Sequence, residues 1–143
     1  MPEATGSTVV ARPQGEVFAF LADGENDVRW RSGVLEVRRR SGTGAGTIYE
    51  QWVKGPFGRR VAADYEITGF EPERRIDFRA IAGPVRPQGT YRLESADGGT
   101  RVTFALRCDL RGAKKLMAPL VGRTMRSEVA QLERLREELE KSG

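Results

Sequence analysis

The chain is 143 residues long, 38% hydrophobic and 31% charged, a size and balance that suit one soluble domain with a core of its own. It has no histidine and one cysteine, Cys108, which excludes Ser-His-Asp or Cys-His catalysis within the chain and any internal disulfide framework, and removes the commonest metal ligand. The net charge is +4, with lysines and arginines interleaved with glutamates, a pattern of solvated charge from which no nucleic-acid partner is expected.

Met1 to Ser7 lacks the basic start and apolar centre of a secretory signal, and no apolar run approaches the ~20 residues of a membrane helix, so a cytoplasmic protein without a transmembrane segment is expected. Ser7 to Ala11 alternates as a short strand, starting there or a residue or two earlier. Pro13 ends it, and Gln14 to Ala22 carries Val17, Phe18 and Leu21 at helical spacing. Asp23-Gly24 closes that helix. Glu25 to Arg31 is a second short helical turn bearing Trp30, and Gly33 breaks it. Val34 to Arg40 is a partial strand with Leu35 and Val37 on one face. The Gly-rich stretch Ser41 to Gly46 has neither the Lys-Ser/Thr ending nor the following helix of a phosphate loop and reads as a hairpin connection.

Thr47 to Lys54 places Tyr49, Gln51 and Val53 opposite Ile48, Glu50 and Trp52, and Gly55-Pro56-Phe57-Gly58 is turn chemistry with an aromatic at its tip. Arg59 to Phe70 reads as one long strand, with Val61, Ala63, Tyr65 and Ile67 on one face. Arg75 to Ala82 alternates Ile76, Phe78, Ala80 and Ala82 against Asp77, Arg79 and Ile81. Gly89 to Ser95 turns Tyr91 and Leu93 inward. Asp97-Gly98-Gly99 is a strong hairpin signal leading to Arg101 through Leu110, where Val102, Phe104, Leu106, Cys108 and Leu110 share one face. From Lys114 to Lys141 an apolar stripe of Met117, Val121, Met125, Leu132, Leu135 and Leu139 marks one long helix, with Pro119 either in its first turn or at a kink. Burying that stripe against the sheet contributes on the order of 10 kcal/mol before entropy.

The fold class expected is therefore α+β, an antiparallel sheet of six to seven strands wrapped around a long C-terminal helix, with two short helices after the first strand, all in a single domain over residues 1–143. Specific stretches resemble the helix-grip SRPBCC superfamily of START lipid-transfer domains, plant pathogenesis-related allergens and bacterial polyketide cyclase/dehydrase-like proteins. They are Ala11-Arg12-Pro13 through Leu21-Ala22-Asp23, Trp30 with Ser32-Gly33-Val34, Tyr65-Glu66-Ile67 through Glu71-Pro72 with Arg75, Gly89-Thr90-Tyr91, Gly99 to Thr103 and Leu132 to Arg136. Serine at position 32 stands where that group usually has proline.

The resemblance implies an apolar cavity between sheet and helix for a lipid, a sterol-like molecule or an aromatic polyketide; no cofactor is expected, and with no histidine and with Asp64 and Asp77 alternating outward no metal site is expected either. Its lining would draw on Trp30, Ala63, Tyr65, Phe78, Ala80, Tyr91, Phe104, Met117, Val121, Met125 and Glu128. Two readings of the interior stay open: small residues such as Ala63, Ala80 and Ala82 leave room, or Phe78, Phe104 and Leu106 fill it. Glu128 interrupts the apolar stripe, so it either faces the cavity, paired with an arginine or tyrosine of the sheet, or reaches water at the margin. By the same resemblance Tyr65 or Tyr91 with Glu128 would be the acid–base pair of a cyclase, aromatase or dehydratase, the alternative to a non-catalytic carrier. A monomer or weak homodimer is expected.

Overall fold

The computed structural model describes residues 1–141, in which the period-2 segments form eight strands and the period-3.6 segments three α-helices. The strands are β1 (Glu3–Val10), β2 (Val34–Ser41), β3 (Ile48–Lys54), β4 (Arg60–Ala62), β5 (Tyr65–Glu71), β6 (Arg75–Ala80), β7 (Gln88–Ala96) and β8 (Gly99–Arg107). All pair antiparallel in one sheet of order β1-β8-β7-β6-β5-β3-β2, with β4 pairing only β3. The curled sheet grips the C-terminal helical segment, which is the helix-grip fold. No helix among the described residues is long and apolar enough to cross a membrane.

Local chemistry explains most boundaries. The β7–β8 hairpin closes on the pair Ala96↔Gly99, leaving Asp97-Gly98 as a two-residue loop in which Gly98 takes φ 79°. Pro13, at φ −61° in an extended backbone, precedes α1 (Gln14–Ala22), which buries Val17, Phe18 and Leu21. β1 starts at Glu3 rather than Ser7, because pairing with β8 runs unbroken from Glu3↔Arg107 to Val10↔Thr100 and overrides the weak strand propensity of its first residues.

Three expectations are corrected. The segment expected as one strand from Arg59 to Phe70 is cut at Ala63-Asp64. There Gln51 N–H donates to the Asp64 carboxylate (3.1 Å) instead of to a strand carbonyl, and the Gln51 amide donates to Ala63 O (3.0 Å). Leu35 and Val37, expected on one face of β2, are separated by a register shift between Val34 and Glu36, which leaves Leu35 exposed and Val34 buried. The single terminal helix is a 3₁₀ turn (Gly112–Met117), α2 (Ala118–Ala130) and α3 (Leu132–Lys141), with Pro119 in the first turn of α2.

The step at Gln131 follows from what each half must touch. α2 buries Val121, Met125 and Val129 over β1 and β8, where Gly6 of β1 lets the Val129 backbone and side chain approach; a Cβ at that position would lie 3.4 Å from them. α3 buries Leu132, Leu135 and Leu139, and Glu133 of α3 accepts from the Thr8 hydroxyl at 2.8 Å. Gln131 turns outward from both helices to accept the Ser32 N–H (2.9 Å).

Candidate functional site

Between the sheet and α2 lies a cavity of about 540 Å³. Small residues along its wall leave room for it: Ala62 ending β4, Ala63 just after it, Ala80 ending β6 and Ala82 beyond it all line it. Phe78, Leu106 and Tyr91 also line it without filling it, and Met117, Val121 and Met125 form the helical wall. Lys54, Pro84, Leu120 and Thr124 line the cavity yet remain exposed, which marks them as its opening.

Nine of the eleven residues expected at the site thus converge on one space: Ala63, Tyr65, Phe78, Ala80, Tyr91, Met117, Val121, Met125 and Glu128. Trp30 and Phe104 are fully buried behind the wall instead. Phe104 stacks on Tyr91 (ring centroids 4.4 Å apart), and Trp30 meets the pair edge-on at 6.3 and 6.4 Å. The Trp30 indole N–H has no partner among the described residues, whereas its carbonyl accepts from Arg134 at 2.9 Å.

Most of the lining is apolar, but one wall is ionic. Glu128 faces the cavity, and its partner is Arg31, not a residue of the sheet: Nη2 lies 3.2 Å and Nε 3.3 Å from its carboxylate. Arg31 Nη1 also donates to Asp27 (3.2 Å) and to the Gln51 amide oxygen (3.4 Å). Tyr65 O–H donates to the same Asp27 oxygen at 3.3 Å. One guanidinium thus ties the 3₁₀ turn Gly24–Arg29 to α2 and β3, and two carboxylates share it in a site where neither side chain of the Asp27–Arg31 pair is more than 14% exposed.

The geometry depends on Gly24, which starts that 3₁₀ turn. A Cβ on Gly24 would occupy the position of the Tyr65 hydroxyl and press on the Tyr49 ring, itself stacked on Tyr65 at 5.0 Å. Only glycine lets Tyr65 reach Asp27.

Burial raises the Asp27 carboxyl from 3.8 to about 6, with Arg31 and the Tyr65 hydrogen bond pulling the other way and the charge of Glu128 adding to the rise. Burial disfavours the Arg31 cation, yet Glu128 and Asp27 outweigh it and hold the guanidinium protonated. Tyr65 and Tyr91 are pushed well above the ordinary phenol range by burial and by the charge of Asp27, so both remain hydroxyl donors. The Tyr91 hydroxyl has no hydrogen-bond partner among the described residues, although only 5% of the residue is exposed. Among the described residues no group of three or more acidic or cysteine side chains is placed to hold a metal ion.

Asp27, Arg31 and Gln51 escaped the sequence reading. Asp27 and Arg31 sit four apart in a polar turn, a spacing shared by countless solvated ion pairs. Gln51 carried a usable signal: it is an amide on the face of β3 that also presents Tyr49.

A family described as polyketide cyclase / dehydrase and lipid transport matches residues 1–140. Solved structures similar to this chain include TTHA0849 from Thermus thermophilus, at a TM-score of 0.83 and 22% identity over 99% of each chain. DR_A0006 from Deinococcus radiodurans aligns at a TM-score of 0.71 and 19% identity, again over 99% of each chain. Ara h 8.0201 aligns at 0.72 and 12%, covering 94% of this chain and 95% of its own. At these identities the likeness is one of fold. Among curated proteins none matches the chain.

Proposed function

The chain belongs to the polyketide cyclase / dehydrase and lipid transport family of the SRPBCC superfamily, and from that premise and the cavity we propose that it encloses a hydrophobic small molecule between sheet and α2. The observation that carries the reading is the hollow itself: about 540 Å³, within the range of small-molecule pockets, with an apolar wall and a few converging polar groups. The ligand class is a lipid, sterol-like or aromatic polyketide body with an oxygen at one end. That oxygen would meet the Tyr91 hydroxyl beside the Asp27–Arg31–Glu128 cluster, a donor on the cavity wall to which the described residues offer no acceptor and which a ligand acceptor would match.

Native mass spectrometry of the purified protein reads any co-purified ligand directly. In solution, Ala80→Phe places a ring in the cavity: uptake of the apolar dye N-phenylnaphthylamine is expected to fall at least about tenfold with the thermal midpoint nearly unchanged. Undiminished uptake by Ala80→Phe would sink the cavity as the binding site.

A second reading, a cyclase, aromatase or dehydratase acting in the same space, is favoured by one specific observation. Asp27 titrates at about 6 and contacts a phenol donor, so near neutral pH it can both accept and return a proton. In this reading the acid–base residue is Asp27 with Tyr65 rather than Glu128: Arg31 holds both carboxylates, but only Asp27 contacts the phenol.

A further inference from the structure

Three segments distant in sequence frame the opening of the cavity. The β3–β4 hairpin contributes Lys54, Gly55, Val61 and Ala62, the β6–β7 loop contributes Gly83 to Val85, and the start of the C-terminal helical segment contributes Met117 and Leu120. They touch one another: Lys114 Nζ donates to Pro84 O at 2.8 Å, and a Cβ on Gly83 would lie 2.8 Å from Ala62 O.

Two properties set this rim apart from the rest of the surface. First, of the six large hydrophobic side chains exposed among the described residues, Phe57, Leu116 and Leu120 belong to it. Phe57 is 101% exposed at the tip of the hairpin, in a left-handed backbone (φ 59°) followed by Gly58 at φ 73°, and Leu116 is 86% exposed. Second, residues 54–62, 83–88 and 111–124 together hold eight of the chain's 24 lysines and arginines and none of its 20 aspartates and glutamates, so the remainder carries 16 basic against 20 acidic residues. The whole excess of positive charge therefore lies in these segments. Arg60 and Arg111 engage Glu36 and Asp109, but Lys54, Arg59, Arg86, Lys114, Lys115 and Arg123 make no ion pair among the described residues.

We infer that this rim is a docking surface for an anionic phospholipid bilayer. Apolar tips alone would suit any greasy partner, and cations alone any polyanion. Apolar side chains set in a field of net positive charge, in which Glu36 and Asp109 answer two of the eight basic residues, match an interface with an oily interior under a negatively charged headgroup layer. Duplex DNA offers the charge but no apolar layer for Phe57 and Leu116 to enter. The proposal rests on the ligand-binding reading above, since docking there faces the cavity opening toward the phase in which an apolar ligand dissolves.

The test is co-sedimentation of the full chain with phosphatidylcholine vesicles and with vesicles that also contain phosphatidylglycerol. The protein is expected to partition onto the mixed vesicles only, and to be released by added salt. Replacing Arg59 and Lys115 together by glutamine is expected to weaken partition roughly thirtyfold, the factor for two basic residues at an anionic surface. Phe57→Ser with Leu116→Ser is expected to weaken it at least about tenfold. These four residues lie outside the cavity lining, so N-phenylnaphthylamine uptake should survive in both variants and shows that they are folded. Equal partition onto neutral and mixed vesicles, wild-type partition by both variants, or retention of duplex DNA in place of vesicles would overturn the docking surface. Dye uptake by the wild-type chain without vesicle binding overturns it and leaves the cavity reading standing. Vesicle binding without dye uptake upholds it and removes the cavity reading.

Discussion

Asp27 is 6% exposed, and its carboxylate lies between the guanidinium of Arg31 and the hydroxyl of Tyr65. Desolvation is the largest influence on it, so the folded protein holds the proton more tightly than the unfolded chain does. The sign is therefore the reverse of an ordinary surface carboxylate. Stability from this group is fully present below pH 3.8 and is lost as the pH rises through about 6, an effect of about 3 kcal/mol. At Asp77 the hydrogen bonds of Arg75 and Thr90 outweigh its partial burial and lower its titration, so its contribution is lost as pH falls. The two are separable by difference. Urea unfolding of Asp27→Asn and the parent chain should diverge by about 2.5 kcal/mol in the variant's favour between pH 4 and 7.5, while the contribution of Asp77 cancels. A pH-independent difference would contradict the burial-driven rise. The same substitution distinguishes the two functional readings: a carrier keeps its ligand, and an enzyme keeps the ligand but loses turnover. Glu128 was legible because a carboxylate inside an apolar stripe is costly unless something answers it. What answers it, Arg31, lies 97 positions away in a turn whose composition reads as solvated.

The break between α2 and α3 belongs to the next scale up. No glycine or proline stands at Gln131, and the apolar stripe runs through it at unbroken helical spacing, so nothing local announces an interruption. The cause is tertiary: α2 has to sit over β8 and β1 while α3 is tied to Thr8 and Trp30 by Glu133 and Arg134, and Gln131 at the step between them holds Ser32. Strand β5 shows the converse. The alternation of Val61, Ala63, Tyr65 and Ile67 continues across the cut at Ala63-Asp64, because the detour returns the chain to the same face. Periodicity reports which face a residue occupies and is blind to whether the ladder is continuous. Since α3 is held by packing on one side, Leu135→Ala, at a fully buried position, is expected to cost about 2–5 kcal/mol in urea unfolding. Binding of an apolar dye should be retained, because Leu135 does not line the cavity. A loss below about 1 kcal/mol, on the order of a surface change, would mean that α3 is not part of the cooperative core.

For the molecule as a whole, strand order and helix placement follow from alternation, tight turns and one amphipathic terminal segment, and all of these are written in consecutive residues. The hollow and its rim are not. They arise where Ala63, Ala80 and Met117, or Lys54, Arg86 and Lys115, are gathered from separate elements, and a window moving along the chain sees only isolated small or basic residues. The aromatic packing behind the wall has one practical outcome. The chain has two tryptophans: Trp30, sealed against Tyr91, and Trp52, lying under the Arg60 guanidinium (4.9 Å) on the hairpin that carries Phe57. Their emission reports on different places. In a Trp52→Phe chain the remaining indole is a single internal lamp one ring removed from the binding space, expected to shift in intensity when the space is occupied and to stay unchanged when only the outer hairpin is touched.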